Sequence, residues 1–335
     1  SGQIAAMQTQ DLAALSTLSL RSMRADQLQS LGSEHLVALT TDQVSSLSSA
    51  NVLALTSAQV STLASDKLLA LTTIQIATLA AGQLAALGSD QVQALATYQV
   101  VAWTTAQITA LTSDQVQALQ TAQIAVLSTA STRALLTAQI AALQVDDLLQ
   151  LSIANVRTLD NSQVRALGTA QLVALSTVQV AGLSTANIGA LMTAQVSAID
   201  VSELAVLDTT QMRALAPAQI AALTSSQLLS LSTAQMAGWS LSNISGLTTD
   251  QIAALPSSQL TALSAANVAG LSNDQVLALS TAQVVALTST QYVGISNAVL
   301  RAFSTAQLTA IEDADIAVLQ GSSLNALWGD QITAL

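Results

Sequence analysis

Histidine and cysteine, the residues that most often carry catalysis or bind metals, are nearly absent from this sequence. The 335 residues include one histidine, His35, and no cysteine. Sites with several histidine ligands, thiolate metal sites and disulfides are therefore excluded. His35 stands where glutamine usually recurs, and we expect it to be an exposed variant without a functional role. No G-x-S-x-G nucleophile motif and no glycine-rich phosphate loop occurs.

Acidic residues form two short clusters that could be considered for calcium. One is Asp146 with Asp147, and the other comprises Glu312, Asp313 and Asp315. Calcium takes six to eight oxygen ligands in a defined loop, and neither an EF-hand loop nor a glycine-rich nonapeptide occurs. We therefore expect solvated acids that stabilise helix starts through the helix dipole. The sequence predicts no catalytic residue, no metal site and no cofactor.

Aromatic residues are the remaining candidates for binding a sugar or a protein partner. Trp103 and Trp239 occupy a position that is otherwise leucine, so we expect them to pack in a core. Trp328 and Tyr98 occupy positions predicted to face solvent, and we take them as candidate exposed contact residues. Tyr292 belongs to the same group of aromatic candidates.

All of these residues sit in one eight-residue repeat, which we write Q-V-x-A-L-S-T-A and call the octad. From Gln3 to Gln331, 328 residues, the register runs through 41 steps of eight without insertion or deletion. Position one is mostly glutamine, position two valine, isoleucine or leucine, position four small and position five leucine. A fixed period over the whole chain is typical of a repeat architecture, in which each unit contacts its neighbours.

The octad contains the signals of a helix start. Serine or threonine three residues before the glutamine forms a capping box, with leucine before the cap and valine after the glutamine as a hydrophobic staple. Pro217 falls on the first helical position, which tolerates a missing N–H. The pattern predicts an all-α solenoid of short, about two-turn helices, one for each octad. A β-solenoid is the alternative, although alanine, leucine and glutamine disfavour strands.

Such short helices must be stabilised by stacking, because helix nucleation is costly. Positions two and five form one apolar face, and the small position four lets neighbouring backbones approach. Asp42, Asp66, Asp90 and Asp114 are spaced by 24 residues, and so are three glycines, Gly246, Gly270 and Gly294. Three octads per superhelical turn would explain this spacing, and so would duplication of 24-residue blocks.

The unbroken register predicts a single continuous solenoid over residues 1–335. Both ends stop inside the pattern, so we expect a fragment of a longer array, with Ser1 and Gly2 as a cloning remnant. Ser, Thr and Gln interrupt every apolar run, which excludes a membrane-spanning helix. With 8 basic against 19 acidic residues, nucleic acid is not an expected partner.

The octad LTAQIAAL at residues 136–143 resembles Ala/Thr/Gln-rich arrays of very large, adhesin-like bacterial surface or secreted proteins. This resemblance implies a stalk or spacer with an extracellular or cell-surface location, and it transfers no site residues. Our first hypothesis is a non-enzymatic structural repeat domain, a rod-like extender or scaffold. The alternatives are a solenoid that binds a protein or glycan, and one that binds ice or another surface through rows of serine and threonine.

Overall fold

The computed structural model describes residues 4, 6–319 and 321–335. The proposed cloning remnant at Ser1 and Gly2, and the first glutamine of the register, Gln3, lie outside the described residues. The chain divides into two units, residues 1–167 and 168–335, each with its own internal contacts. The expectation of a single continuous solenoid stays a prediction.

Short α-helices make up both units, and most have five or six residues. The first unit has helices at Thr9–Ala13, Thr17–Arg21, Ala25–Gln29, Ser33–Ala38, Thr41–Ser46, Ser49–Ala54, Ser57–Ser61, Ser65–Ala70, Thr73–Thr78, Ala81–Ala85, Ser89–Gln93, Thr97–Val101, Thr105–Ala110, Ser113–Ala118, Thr121–Ala125, Thr129–Ala134, Thr137–Ala142, Val145–Gln150, Ile153–Thr158 and Asn161–Ala166. The second unit has helices at Thr169–Val173, Thr177–Gly182, Thr185–Ala190, Thr193–Ala198, Val201–Ala205, Thr209–Arg213, Pro217–Ala221, Ser225–Ser230, Thr233–Ala237, Leu241–Ser245, Thr249–Ala254, Ser257–Ala262, Ala265–Ala269, Asn273–Leu277, Thr281–Ala286, Ser289–Gly294, Asn297–Ala302, Thr305–Thr309, Asp313–Ile316, Gly321–Leu324 and Gly329–Ala334.

One helix per octad, with no strand among the residues described, confirms the all-α prediction over the β-solenoid. In Ser113–Ala118 the cap Thr112 is extended, with φ −74° and ψ 161°. Leu119 ends the helix with φ −59° and ψ 138°. Two extended residues therefore separate successive helices, and the turn between them requires no left-handed residue. Consistently, no described residue has a positive φ, so the chain can reverse direction without glycine.

Stacking follows one relation within each unit, where a helix packs on the helix three further along the chain. Ala81–Ala85 lies against Ser57–Ser61 on one side and Thr105–Ala110 on the other. In the second unit, Ala265–Ala269 lies between Leu241–Ser245 and Ser289–Gly294. This is the regular solenoid packing that the grouping of octads in threes predicts.

The core runs along these stacks and consists of positions two and five. Val116 and Leu119 are both buried, and the same positions are buried in nearly every described octad. Trp103 and Trp239 replace the position-five leucine and are buried as expected, with 5% and 4% of their surface exposed. The staple predicted at each helix start is thus part of the apolar core of its own unit.

Small residues at position four lie where stacked helices come closest. A Cβ atom added to Gly246 would lie 2.4 Å from the Pro217 carbonyl oxygen. A Cβ atom on Gly294 would lie 2.9 Å from the Ala265 Cβ. The glycines spaced by 24 residues therefore have a geometric reason, since each meets the helix stacked before it. None of the helices described here combines the length and apolar character needed to cross a bilayer.

We expect the core to depend on position two and not on position three beside it. Leu228 is fully buried, whereas its neighbour Leu229 in the same helix is 47% exposed. Leu228→Ala should lower the free energy of unfolding by about 2–5 kcal/mol because it removes buried contacts and leaves a cavity. Leu229→Ala should change it by less than about 0.5 kcal/mol. Urea denaturation followed by circular dichroism measures both, and equal losses would contradict this core assignment.

Thr132 provides a gain-of-stability test, because it occupies the apolar position two. Its side chain is fully buried, and its hydroxyl has no hydrogen-bond partner. Thr132→Val keeps the shape and removes the unpaired hydroxyl, so we expect the free energy of unfolding to rise by about 1–2 kcal/mol. The exposed Thr129 in the same helix serves as the control, and Thr129→Val should have little effect. A loss of stability in Thr132→Val would show that the hydroxyl is satisfied.

Candidate functional site

The polar feature that recurs in both units is the side chain at position one of the octad. In one octad, the Gln115 backbone N–H donates to Thr112 Oγ1 over 3.1 Å. In return the Thr112 backbone N–H donates to Gln115 Oε1 over 2.9 Å. This is the reciprocal capping box that the sequence predicts, and it satisfies two N–H groups at the helix start.

The amide nitrogen of the same glutamine has a second role that the sequence analysis did not predict. Gln115 Nε2 lies 3.1 Å from the Leu84 carbonyl oxygen, 3.2 Å from that of Ala85 and 2.7 Å from that of Leu87. These carbonyls end a helix four octads earlier in the chain. Only 2% of the Gln115 surface is exposed, so these hydrogen bonds form within the stack.

One side chain therefore joins the start of one helix to the end of another, and we call this arrangement the glutamine joint. The last carbonyls of a helix have no partner within the helix and need one when buried. Nε2 donates to the carbonyl 28 residues earlier in both units. In the first unit the glutamines are 43, 59, 75, 83, 91, 99, 107, 115, 123, 139 and 163. In the second they are 211, 219, 227, 235, 251, 259, 275, 283, 291, 307 and 331.

A proline at the cap position separates the two parts of the joint, the hydrogen bond that Oε1 accepts and the hydrogen bonds that Nε2 donates. Pro256 has no backbone N–H, and the Gln259 Oε1 atom that would accept from it has no partner. Gln259 Nε2 still donates to the Leu231 carbonyl oxygen over 2.7 Å. The hydrogen bond accepted by Oε1 and those donated by Nε2 are thus independent, and here the Nε2 bonds to the earlier helix are present without the Oε1 bond.

Asparagine and histidine at position one form shortened or modified joints. Asn155 Nδ2 reaches the Leu127 carbonyl over 2.8 Å, the same 28-residue step. His35 Nδ1 accepts from the Gly32 N–H over 3.0 Å, and its Nε2 lies 2.8 Å from the Met7 carbonyl oxygen. Because Nδ1 accepts, Nε2 carries the hydrogen and donates. The expectation that His35 is exposed is wrong: 4% of its surface is exposed, because it fills the place of the joint glutamine.

Two of the acids expected to be solvated are buried for the same reason. Asp147 and Asp315 occupy position one and expose 2% and 6% of their surface, which corrects that expectation. Asp315 accepts a 2.7 Å hydrogen bond from Ser289 Oγ. Asp146 and Glu312 are exposed, as expected. No group of three or more potential metal ligands occurs among the residues described, and the expectation of no metal or cofactor stays a prediction.

Burial changes the acid–base behaviour of two position-one carboxyls. Glu203 exposes 4% of its surface, and burial raises the pKa of its carboxyl above the ordinary value. Burial likewise raises the pKa of Asp147. In both cases a backbone N–H donated to the carboxylate, from Asp200 or Gln144, acts in the opposite direction.

The two exposed aromatic candidates, Trp328 and Tyr98, belong to different units. Trp328 is 60% exposed, and the Arg301 guanidinium carbon lies 4.9 Å from the centre of its ring. Tyr98 is 52% exposed, with its hydroxyl 3.4 Å from the Leu69 carbonyl oxygen. Their role as contact residues stays a prediction. Tyr292 is buried, and its hydroxyl donates to the Val284 carbonyl, so it forms no surface binding spot.

Comparison with known families finds one family model that matches several segments along the chain. The family model described as the ALTTAQ repeat matches residues 4–41, 93–121, 140–177, 169–201, 204–238 and 256–289, together more than half of the chain. No curated protein matches the chain.

The joint predicts a strong difference between two glutamines of one helix. Gln115 forms the joint, whereas Gln117 in the same helix is exposed. Gln115→Leu should lower the free energy of unfolding by about 2–5 kcal/mol, because it leaves several buried carbonyls and an N–H without a partner. Gln117→Leu should change it by less than about 0.5 kcal/mol. Urea denaturation compares the two, and similar effects would contradict the role of Nε2.

Proposed function

Because the chain belongs to the ALTTAQ repeat family, we propose that it is a non-enzymatic structural repeat domain that acts as a rod-like extender or scaffold. One observation carries this proposal: the polar groups buried at position one are consumed in joining helices. The Gln115 amide, for example, already makes three hydrogen bonds to carbonyls and accepts one. A polar group used in this way is not available for a ligand.

The sameness of the octads supports an extender more than a localised site. Catalytic and binding sites are concave and contain a few polar groups that differ from their surroundings. Here the same glutamine joint recurs in both units, and each joint serves its own pair of helices. We place this extender in a larger bacterial protein at the cell surface or outside the cell. The support for that location is the resemblance to adhesin-like arrays and a composition poor in charged residues, at 8%.

A second candidate function is the binding of a protein or glycan, and the exposed aromatic residues favour it. The Trp328 ring with Arg301 stacked over it offers an apolar face beside a charge, as contact surfaces often do. Loss of a captured partner from Trp328→Ala, with unchanged circular dichroism, would support this candidate. Tyr98→Ala tests the other candidate residue in the same way.

The extender proposal predicts that length follows the number of octads. A duplicate of residues 105–128 inserted after residue 128 adds three octads and preserves the register of every joint. Small-angle X-ray scattering should show the maximum dimension growing by about 8–10 Å for each inserted block, the usual spacing of packed helices. A 20-residue insertion at the same place is the control, since it breaks the period of eight and should lower the melting temperature. A maximum dimension that stays constant as blocks are added would contradict the proposal.

A further inference from the structure

A carboxyl group occupies one joint where a hydrogen-bond donor is needed. Glu203 has the shape of glutamine, and its Oε2 accepts from the Asp200 N–H over 3.0 Å, as Oε1 does in the glutamine joints. By the register of the repeat, its other carboxyl oxygen takes the place of Nε2. The carbonyls at that place, 31 and 28 residues earlier, belong to Leu172 and Leu175.

Two carbonyl oxygens and an ionised carboxylate are all hydrogen-bond acceptors. In the neighbouring glutamine joints, Nε2 donates to the corresponding carbonyls over 2.7–3.0 Å, as Gln219 does to Ile188 and Leu191. An ionised Glu203 would place a negative charge against the carbonyl end of a helix, where the helix dipole is also negative. A protonated carboxyl has one O–H donor, so it can donate to one of these carbonyls as Nε2 does in the glutamine joints.

Among the described residues, the helices packed against the Glu203 helix hold no cation that would favour the ionised form. Val201–Ala205 packs on Thr177–Gly182 and Ser225–Ser230, and neither these helices nor Thr169–Val173, which carries the Leu172 carbonyl, contains a titratable residue. Gln235, which donates to the Leu204 carbonyl, lies in Thr233–Ala237, a helix without charged residues. The titratable group that acts on Glu203 is Asp200 in the cap preceding its own helix, and its negative charge opposes ionisation.

We propose that Glu203 is a proton-operated joint, which is closed when its carboxyl donates a proton to the Leu172 or Leu175 carbonyl and opens when that proton is released to water. The array would then hold together more firmly in mildly acidic surroundings than in alkaline ones. This inference concerns the stability of the stack and does not depend on the proposed function.

Asp147, in the first unit, is a second buried carboxyl at position one. Its side chain is one methylene shorter than that of Glu203 and has the length of asparagine. The hydrogen bond that the structure shows to its carboxylate comes from the Gln144 N–H over 3.3 Å. Asn155, in the next octad, donates to the carbonyl 28 residues earlier; for Asp147 that carbonyl belongs to Leu119. The contacting helix Thr121–Ala125 carries no charge, and Ser113–Ala118 contributes only Asp114. Asp315 differs, because Ser289 Oγ supplies it with a donor.

The sign of the pH dependence follows from the raised carboxyl pKa of the folded chain. The unfolded chain releases the Glu203 proton near the ordinary glutamate pKa of about 4.3, whereas the folded chain retains it to higher pH. Stability from this joint is therefore complete below about pH 4.3 and is lost as pH rises through the folded pKa. Within that window the unfolding constant of the wild type, relative to Glu203→Gln, should rise up to about tenfold per pH unit.

The experiment compares the wild type, Glu203→Gln and the control Asp274→Asn, which removes an exposed carboxylate in the same unit. Urea midpoints are measured from about pH 4 to about pH 9. We expect Glu203→Gln to gain stability over the wild type as pH rises, while Asp274→Asn follows the wild type. A constant difference between wild type and Glu203→Gln at every pH would overturn the proposal.

Carbon-detected NMR titration of the Glu203 carboxyl gives a second readout that requires no variant. A titration midpoint above the ordinary value of about 4.3 supports the proposal, and a midpoint at or below that value overturns it. Repeating the urea series in potassium, sodium and calcium chloride tests whether a cation occupies the joint. If the urea midpoint at alkaline pH is higher in one of these salts than in the others, the cation of that salt and not a proton occupies the joint, and the proposal is overturned.

Discussion

A helix of five or six residues consists almost entirely of ends, and this constraint governs the structure. The first four N–H groups and the last four carbonyls of any helix lack partners within it. In such short helices nearly every backbone polar group is therefore a terminal one. Buried polar groups must be paired, so an array of these helices needs a polar partner at each start and each end. The position-one side chain supplies both.

The joint also explains why stacking and local structure depend on each other. Oε1 fixes the start of its own helix, and Nε2 fixes the end of a helix about 28 residues earlier, as Gln43 does with the carbonyl of Leu15. Because neither helix would persist alone, each is ordered by its neighbours in the stack. Insertion of a residue in one octad would move the following glutamines out of register with their carbonyls, which accounts for the period of eight being kept so strictly.

The residues that replace glutamine at position one differ in whether they can donate to the earlier carbonyl. Asn155 and His35 preserve a donor to the earlier carbonyl, whereas Glu203 and Asp147 provide one only as neutral acids. Lys67 instead pairs with Asp66 over 2.8 Å. Each such change affects one joint, while glutamine joints nearby in the chain are complete, as Gln139 shows before Asp147.

Much of the fold could be predicted from residue types and their spacing. The period of eight, the capping box at residues such as Thr112 and Gln115, and the apolar positions two and five determine short helices with one buried face, because these interactions connect residues three or four apart. The sequence also predicts the helix start at Pro217 for the same local reason. The exposure of Trp328 and the burial of Trp103 also follow from their positions in the octad.

Only the tertiary structure decided what the glutamine amide nitrogen does. Its carbonyl partners lie 28–31 residues away, and a local pattern contains no information about such a distance. One signal was present: a capping box accepts glutamate as readily as glutamine, yet Glu203 is the single glutamate at position one. Capping alone does not account for that preference, whereas a buried donor does. By residue type alone, His35, Asp147 and Asp315 are expected at the surface, because polar side chains are usually exposed. The stack buries them because the carbonyl ends of its helices require a polar neighbour inside.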